Sequence, residues 1–174
     1  MAAINIENQN WVFDDDGLGY PTSWSGYYID QSEDNDLSFI NNYISSNNVN
    51  GYILEAGDEA VGTGNNRLDD SIIEYNYFKW NGSPTSSIIT HGIFTGYQVG
   101  VKVRYNYCDG VPMAIIRKSN GMTDTNDGVV AYNIIKNPKP GIVCKGMNGV
   151  KIINNTFYSD LNSSTENGYG RAFI

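Results

Sequence analysis

Short runs of alternating apolar and polar residues recur along the chain, and each run ends at a polar anchor residue. Residues 150–158, VKIINNTFY, show this most clearly, with aliphatic residues in alternation, then two asparagines, then an aromatic residue. Alternation over a few residues is typical of a β-strand with one buried face. Because the asparagines interrupt it where a strand would otherwise continue, the pattern predicts a strand, a bend and a second strand.

The same arrangement occurs six times. In nearly every copy an aliphatic residue or Phe lies three positions before the anchor, Asn or Tyr lies one before it, and a bulky apolar residue or Cys lies two after it. The anchors are separated by 33, 34, 30, 27 and 22 residues. They are Gln9, Asn42, Asn76, Asn106, Asn133 and Asn155. Periods of this length indicate stacked repeats, with the extra length of the early copies in loops.

A second apolar run follows each anchor. These runs are GYYI at 26–29, GYILEAG at 51–57, SIITHG at 87–92, MAIIRKS at 113–119, GIVCKG at 141–146 and RAFI at 171–174. One such unit cannot bury its apolar residues, whereas stacked units bury them in a continuous column, with each strand parallel to its equivalent in the next coil. We therefore predict that residues 1–174 form a single all-β domain of about six coils. A β-sandwich with irregular strands is the alternative.

Asparagine suits the anchor position for two reasons. It tolerates the left-handed backbone conformation that a bend requires, and its amide donates and accepts hydrogen bonds along a stack. We expect a ladder of Asn42, Asn76, Asn106, Asn133 and Asn155. The pattern of strand, turn and V-x-I-x-N-N-x-F resembles the right-handed parallel β-helix of the pectate lyase superfamily, most specifically over residues 100–160. The resemblance implies an extracellular or virion-associated protein that acts on or binds a polysaccharide, although this fold carries many functions.

Composition adds limits to this interpretation. The chain has no apolar run of about 18 residues, so no membrane span is expected, and MAAINIENQN shows no signal peptide. Both ends fall within a repeat, so we expect either further coils of a longer β-helix or a partner that covers the ends, as in a homotrimer. Cys108 and Cys144 occupy apolar positions of the repeat, which predicts free, buried thiols.

Charge is distributed unevenly. Residues 1–78 contain 14 acidic side chains and one basic one, whereas residues 79–151 contain nine Lys or Arg and three acids. The net charge of −8 argues against nucleic acid as a partner. A local basic strip on the middle coils suits an acidic polysaccharide lying along the stack.

Alignment of the second apolar runs by their final glycines, with Ser119 in the equivalent place, predicts where the cations lie. It puts Ala56, His91, Lys118 and Lys145 in one column, and Glu55, Thr90, Arg117 and Cys144 in the adjacent one. A row of His91, Lys118 and Lys145 would neutralise uronate carboxylates and supply the base for β-elimination. These three residues and Arg117 are the candidate catalytic residues. Ordinary exposed lysines beside a strand are the alternative.

The run IIRKSNG and the coil after it resemble the chondroitinase B and alginate lyase family, which shows an N-K-S motif followed one coil later by R-H-G. Lys118 and Ser119 match the Lys-Ser pair, which the resemblance implies would carry the catalytic base, and Gly146 matches the final glycine. Arg117 replaces the family's Asn, and Cys144 and Lys145 replace its Arg and His. The calcium-assisted arrangement of that family is therefore incomplete here.

Two other classes of function stay open. A glycoside hydrolase would use paired carboxylates, and the candidate clusters are Asp14-Asp15-Asp16, Glu55-Asp58-Glu59 and Asp69-Asp70. The DDDG and DQSEDND stretches also offer oxygen ligands that suit calcium, without the spacing of a recognised calcium loop. A non-catalytic glycan-binding module, such as a tailspike segment or a bacterial surface β-helix, would bind sugars through aromatic side chains. The candidate binding residues are Tyr77, Trp80, Tyr97 and Tyr107, together with Lys145.

Overall fold

The computed structural model describes residues 4–7, 10–13, 25–29, 37–46, 50–56, 68–81, 89–95, 98–111, 113–118, 128–138, 140–145, 148–160 and 171–173. Within these ranges the chain forms 20 short strands. Each of the six coils contains three of them, and the remaining two are additional two-residue strands. The first three coils contain β1 (Ile4–Glu7), β2 (Asn10–Phe13), β3 (Ser25–Ile29), β4 (Leu37–Ile40), β5 (Tyr43–Ser46), β6 (Asn50–Ala56), β7 (Leu68–Asp69), β8 (Ile72–Glu74), β9 (Tyr77–Trp80) and β10 (Ile89–Thr95). The last three contain β11 (Gln98–Val99), β12 (Lys102–Arg104), β13 (Tyr107–Asp109), β14 (Met113–Lys118), β15 (Val129–Ala131), β16 (Ile134–Lys136), β17 (Pro140–Lys145), β18 (Lys151–Ile153), β19 (Thr156–Tyr158) and β20 (Arg171–Phe173).

Equivalent strands of successive coils form three six-stranded sheets along the stack. Their orders are β1-β4-β8-β12-β15-β18 in the first sheet, β2-β5-β9-β13-β16-β19 in the second and β3-β6-β10-β14-β17-β20 in the third, and β7 and β11 form a small fourth sheet. The pairs within each sheet are parallel. The described residues therefore form a right-handed parallel β-helix of six coils, as the repeat predicts. Parallel pairing throughout excludes the antiparallel sheets of a β-sandwich.

The core runs along the axis as one column of side chains from each sheet. Register aligns the inward residues Phe39, Ile73, Val103 and Val130 in the first sheet, Ile44, Phe78, Cys108 and Ile135 in the second, and Leu54, Ile93, Ile115 and Ile142 in the third. All of these side chains are buried. Alternation with outward polar residues is what the hydrophobic pattern of each strand predicts.

The expected asparagine ladder is present inside the bend between the first and second sheets. The Oδ1 atom of Asn106 accepts hydrogen bonds from the backbone nitrogen and Nδ2 of Asn76, at 3.0 and 2.9 Å. In turn, Nδ2 of Asn106 donates to Oδ1 of Asn133 at 3.0 Å and to the carbonyl oxygen of Ile73 at 2.8 Å. The same bonds continue from Asn42 to Asn155. Gln9, the first anchor, lies outside the described residues.

The left-handed residue of each bend is not the anchor, and that part of the prediction is wrong. Positive φ values of 50° to 57° occur one position earlier, at Asn41, Tyr75, Tyr105, Tyr132 and Asn154. The anchor asparagine is therefore selected by its side-chain hydrogen bonds inside the coil. The residue before it makes the bend and points its side chain outward.

Both cysteines are free, as expected. Cys108 is buried, and burial raises the pKa of its thiol to about 12. Cys144 is only half-buried, so the expectation of full burial fails there.

Candidate functional site

A column of tyrosines lies on the outside of the bend between the first and second sheets. Tyr75, Tyr105 and Tyr132 occupy the left-handed position in three successive coils. Their side chains are 54%, 40% and 46% exposed. The rings of Tyr75 and Tyr105 are 5.0 Å apart with planes at 4°, and those of Tyr105 and Tyr132 are 5.1 Å apart at 7°. We call this set the bend column.

The stacked rings of the bend column keep part of their aromatic surface exposed to solvent. Carbon atoms in contact lie about 3.5–4.0 Å apart, so parallel rings whose centroids are 5.0 Å apart are not in full face-to-face contact. About half of each of these tyrosines is exposed. The bend column therefore presents aromatic surface to solvent at regular intervals along the axis.

The backbone conformation of these tyrosines is unusual for their residue type. A bulky residue with positive φ is a genuine outlier, and the left-handed conformation costs roughly 1–2 kcal/mol per residue. Asn41 and Asn154 hold the same position in neighbouring coils, with φ of 56° and 50°. The bend can thus be made by asparagine, a residue that tolerates it. Strained residues persist where the surrounding structure fixes them, and they concentrate at functional sites.

A second column of outward tyrosines runs beside the first, two positions later along the chain. Tyr43, Tyr77 and Tyr107 begin the strands of the second sheet, and Ile134 continues their column in the next coil. The ring centroids are 5.1 Å apart between Tyr43 and Tyr77 and 5.0 Å apart between Tyr77 and Tyr107. We call this set the strand column. The two columns flank the asparagine ladder, whose side chains point inward, and together they form the tyrosine ridge.

Two cations beside the ridge, Arg104 and Lys136, are paired with carboxylates. Arg104 lies 5.8 Å from the centroid of the Tyr105 ring, and two of its guanidinium nitrogens contact Oε1 of Glu74. Lys136 lies between two carboxylates, with its Nζ 3.5 Å from Asp109 and 3.4 Å from Asp160. Each of these two cations therefore already has a carboxylate partner.

Hydrogen bonds fix the phenol groups of the strand column. The hydroxyl of Tyr77 donates to Oδ2 of Asp109 at 3.0 Å, and the hydroxyls of Tyr107 and Tyr158 lie 2.7 Å apart. Burial, followed by the bond to Asp109, raises the pKa of Tyr77 to about 12. The bond to Tyr158, followed by burial, raises the pKa of Tyr107 as well. Both phenols are neutral at physiological pH, so these two groups offer hydrogen bonds rather than a base.

The predicted catalytic row is not formed. In the third sheet His91 lies opposite Met113 and Tyr52. Met113 comes five residues before Lys118 in β14, so at roughly 3.3 Å per residue the positions of His91 and Lys118 are separated by about 16 Å along the strand direction. The strand continues through Gly92 to Thr95, and Thr95 is the register partner of Arg117. Lys118 and Lys145 are register partners, as predicted. The structure thus keeps two members of the row and removes His91 from it.

Arg117 points into the β-helix and has no exposed surface. Its Nη1 donates to the carbonyl oxygen of Val101 at 3.1 Å, and burial lowers its pKa to about 10. Gly128 makes room for it, since a Cβ there would lie 2.5 and 2.6 Å from the guanidinium nitrogens. An enclosed side chain does not contact a polymer on the surface, so the position of Arg117 contradicts its expected role.

Among the described residues, the basic segment does not form a single strip. Its positions are distributed over the three sheets because each coil turns through all of them. Lys102, Arg104 and Lys151 are in the first sheet, Lys79 and Lys136 in the second, and Arg117, Lys118 and Lys145 in the third. A run of basic residues in the sequence thus becomes several separate positions around the helix.

The predicted sugar-binding residues have different outcomes. Tyr77 and Tyr107 lie on the tyrosine ridge. Trp80 is only 6% exposed and packs in the core, so the prediction of an exposed ring is wrong. Tyr97 lies outside the described residues. Lys145 has a described backbone position in β17, opposite Lys118.

The acidic clusters fall mostly outside the described residues. Asp14-Asp15-Asp16, Asp58 and Glu59 are not described, nor is any of the DQSEDND stretch. Glu55 and Asp69 have described backbone positions in β6 and β7, and Asp70 is exposed with φ of 46°. Among the residues that the structure describes, no group of three or more His, Cys, Asp or Glu could hold a metal ion. The calcium prediction for the two acidic stretches stays a prediction.

Sequence reasoning did not identify the bend column. The signal is visible as YNY at 75–77 and 105–107 and AYN at 131–133. With the left-handed conformation predicted at the asparagine, these tyrosines are expected to belong to the repeat and not to form a surface. Within the described part of the chain, no helix is long and apolar enough to cross a membrane.

Comparisons with protein-family models, with curated proteins and with solved structures find no match to this chain.

Proposed function

We propose that this protein binds a polysaccharide along the tyrosine ridge, as a β-helical glycan-binding module of the kind that the resemblance to the pectate lyase superfamily suggests. The observation that carries this proposal is the bend column, with three exposed rings held in a strained conformation that Asn41 and Asn154 occupy in neighbouring coils. A residue that bends the chain at a cost is expected to serve something beyond the bend.

The chemistry of the ridge fits a sugar ligand. The axial C–H groups of a pyranose ring pack against aromatic faces, and its hydroxyls need donors and acceptors beside them. Tyrosine supplies both an apolar ring and a polar tip, which is why it is common at binding surfaces. The hydroxyls of Tyr77 and Tyr107 are held by fixed partners, so they are arranged before a ligand arrives.

The ridge favours binding over catalysis. The raised pKa values of Tyr77 and Tyr107 keep these phenols protonated. Hydrogen bonding to Asn137 and the charge of Lys136 hold the pKa of Asp160 below its ordinary value, so this carboxylate is not poised as a general acid at neutral pH.

Affinity electrophoresis tests the proposal. The chain is run through gels that contain neutral and acidic polysaccharides, beside the variant Tyr75→Asn/Tyr105→Asn/Tyr132→Asn and the control Lys151→Gln, an exposed position of the first sheet. We expect at least one polysaccharide to retard the wild-type chain and the control, and not the triple variant. Equal retardation of the triple variant, or no retardation of the wild type by any polymer, would contradict the proposal.

A second candidate function has one observation in its favour. Lys118 and Lys145 are register partners in adjacent strands of the third sheet, and the resemblance to the chondroitinase B and alginate lyase family implies a base at Lys118. This pair suggests an acidic-polysaccharide lyase that acts by β-elimination. Incubation with alginate, chondroitin and pectate, followed by the ultraviolet absorbance of unsaturated uronates, tests it. An absorbance rise that Lys118→Ala abolishes supports this candidate, and a flat trace with every polymer removes it.

A further inference from the structure

The tyrosine rings of the bend column repeat by translation along the helix axis with almost no rotation. Successive ring centroids are 5.0 and 5.1 Å apart, and the ring planes turn by only 4° and 7° between coils. A parallel stack of coils imposes this, because neighbouring strands lie about 4.8 Å apart and each residue sits above its equivalent. A polymer that follows the column must therefore be straight, and its units must advance by one coil height.

Few polysaccharides have this shape. Chains of pyranose rings joined through equatorial bonds extend as flat ribbons, and each sugar advances by nearly one coil height. Successive sugars of such a ribbon turn over by half a turn, but both faces of an all-equatorial sugar carry axial C–H groups and can pack on a ring. Chains that alternate an axial and an equatorial bond at each linkage, as in α-1,4-glucans, coil instead, and they would leave the column after one or two sugars.

The ion pairs beside the ridge favour a neutral ligand. Arg104 is engaged by Glu74, and Lys136 by Asp109 and Asp160. A uronate would have to displace one of these carboxylates or lie beside it, and like charges in proximity are unfavourable. Neutral sugars incur no such cost.

The ridge also has a defined length. Its side chains come from four successive coils, with Tyr43 in the first, Tyr75 and Tyr77 in the second, Tyr105 and Tyr107 in the third, and Tyr132 and Ile134 in the fourth. The bend position carries asparagine at Asn41 and Asn154, one coil before Tyr75 and one coil after Tyr132.

We infer that the tyrosine ridge takes a neutral, ribbon-forming polysaccharide with β-linked equatorial bonds, such as a glucan or mannan of this type, at one sugar per coil along the helix axis. The inference rests on the proposed function and specifies its ligand class, its direction and its number of sugar subsites.

Titration calorimetry with oligosaccharides of increasing length tests the inference. Cello- and manno-oligosaccharides from dimer to hexamer are compared with malto-oligosaccharides of the same lengths. For a β-linked series we expect each sugar up to the tetramer to tighten Kd by between about twofold and tenfold, the equivalent of one aromatic contact, with no further gain beyond the tetramer. Malto-oligosaccharides should bind more weakly at every length, and added salt should change Kd little.

Two variants assign the subsites. Tyr132→Asn removes the last ring of the bend column, so Kd should stop tightening at the trimer instead of the tetramer. Tyr105→Asn removes the middle ring of the bend column. It should weaken binding of the tetramer, while Kd still stops tightening at the tetramer.

Several outcomes would overturn the inference. In the length series, they are a Kd that stops tightening at the dimer or one that continues to tighten beyond the tetramer. Equal affinity for malto-oligosaccharides or higher affinity for uronates would also overturn it, as would self-association of the chain that Tyr105→Asn abolishes. If the ridge retains polysaccharides but shows one of these behaviours, the inference fails and the proposed function stands. If neither polymers nor oligosaccharides bind, both fail.

Discussion

Asn76 and Asn106 are linked by two hydrogen bonds to one oxygen, because the backbone nitrogen and Nδ2 of Asn76 both donate to Oδ1 of Asn106. Both residues are buried. Each internal asparagine of the ladder thus satisfies a backbone donor and a side-chain donor of its neighbour. The bend would otherwise leave these donors unpaired inside the coil, where an unsatisfied group costs about 1–3 kcal/mol.

Replacing Asn106 by Leu should therefore destabilise the β-helix strongly. The substitution leaves two donors of Asn76 without their acceptor and removes one of the donors that the carbonyl oxygen of Ile73 can accept. At about 1–3 kcal/mol for each of the two stranded donors, we expect a loss of at least about 2 kcal/mol in the free energy of unfolding. Urea unfolding measures it.

Asn155→Leu is the matched control for the ladder, because Asn155 makes equivalent bonds but is only half-buried. Water can replace its contacts, so the loss should be clearly smaller. Equal losses at Asn106 and Asn155 would show that the ladder does not act through buried hydrogen bonds.

Gly128 and Arg117 should be energetically coupled. A Cβ at Gly128 would meet the guanidinium nitrogens of Arg117, and it would also lie 2.8 Å from the carbonyl oxygen of Val101 at a φ of 122°. Gly128→Ala should therefore be destabilising in the wild-type background and less so in an Arg117→Leu background, where the guanidinium is absent. Contacting residues couple by about 0.5–3 kcal/mol. A double-mutant cycle in urea measures the coupling, and strict additivity would contradict the arrangement.

The pKa of Tyr77 gives a pH prediction. Its pKa is raised from 10.0 to about 12, so the stability associated with its protonated form is fully present below pH 10.0 and is lost as the pH rises towards 12. Burial is the largest cause, and Asp109, Tyr43 and Tyr158 add to it. Asp109→Asn removes the nearest negative charge, so Tyr77 should ionise at lower pH.

Tyrosinate absorbance during an alkaline titration measures this change. The difference between each protein and its Tyr77→Phe counterpart isolates one phenol from the 13 tyrosines of the chain. An unchanged Tyr77 titration in Asp109→Asn would mean that the 3.0 Å bond to Asp109 does not influence this residue.

The repeat predicted the coils and the ladder well because both depend on positions that the chain must repeat. An inward residue such as Ile73 or Val103 has to be apolar in every coil, and an inward amide such as that of Asn106 needs the same amide above and below it. Register within the second sheet follows directly from the anchors.

The sequence was less informative where one residue type has two uses. The sequence pattern predicts that a strand ends at Gly92, because glycine commonly marks a turn. In the structure it lies within β10, where a Cβ would be 2.6 Å from the carbonyl oxygen of Ala114. Because β10 continues past Gly92 to Thr95, His91 lies outside the predicted row. Tyr105 was missed for a related reason, because its left-handed backbone is one that tyrosine rarely adopts.

The central claim is that the bend-column tyrosines are retained for a ligand rather than for stability, and Tyr105→Asn tests it most directly. Left-handed tyrosine costs about 1–2 kcal/mol, and the two ring contacts of Tyr105 return about 0.5–1.5 kcal/mol each. These contributions nearly cancel, and asparagine fits the bend. We predict a free energy of unfolding within about 1 kcal/mol of wild type, together with a Kd for the polysaccharide that is weaker by between about twofold and tenfold, the loss of one aromatic contact. A clear loss of stability with unchanged binding would contradict the account.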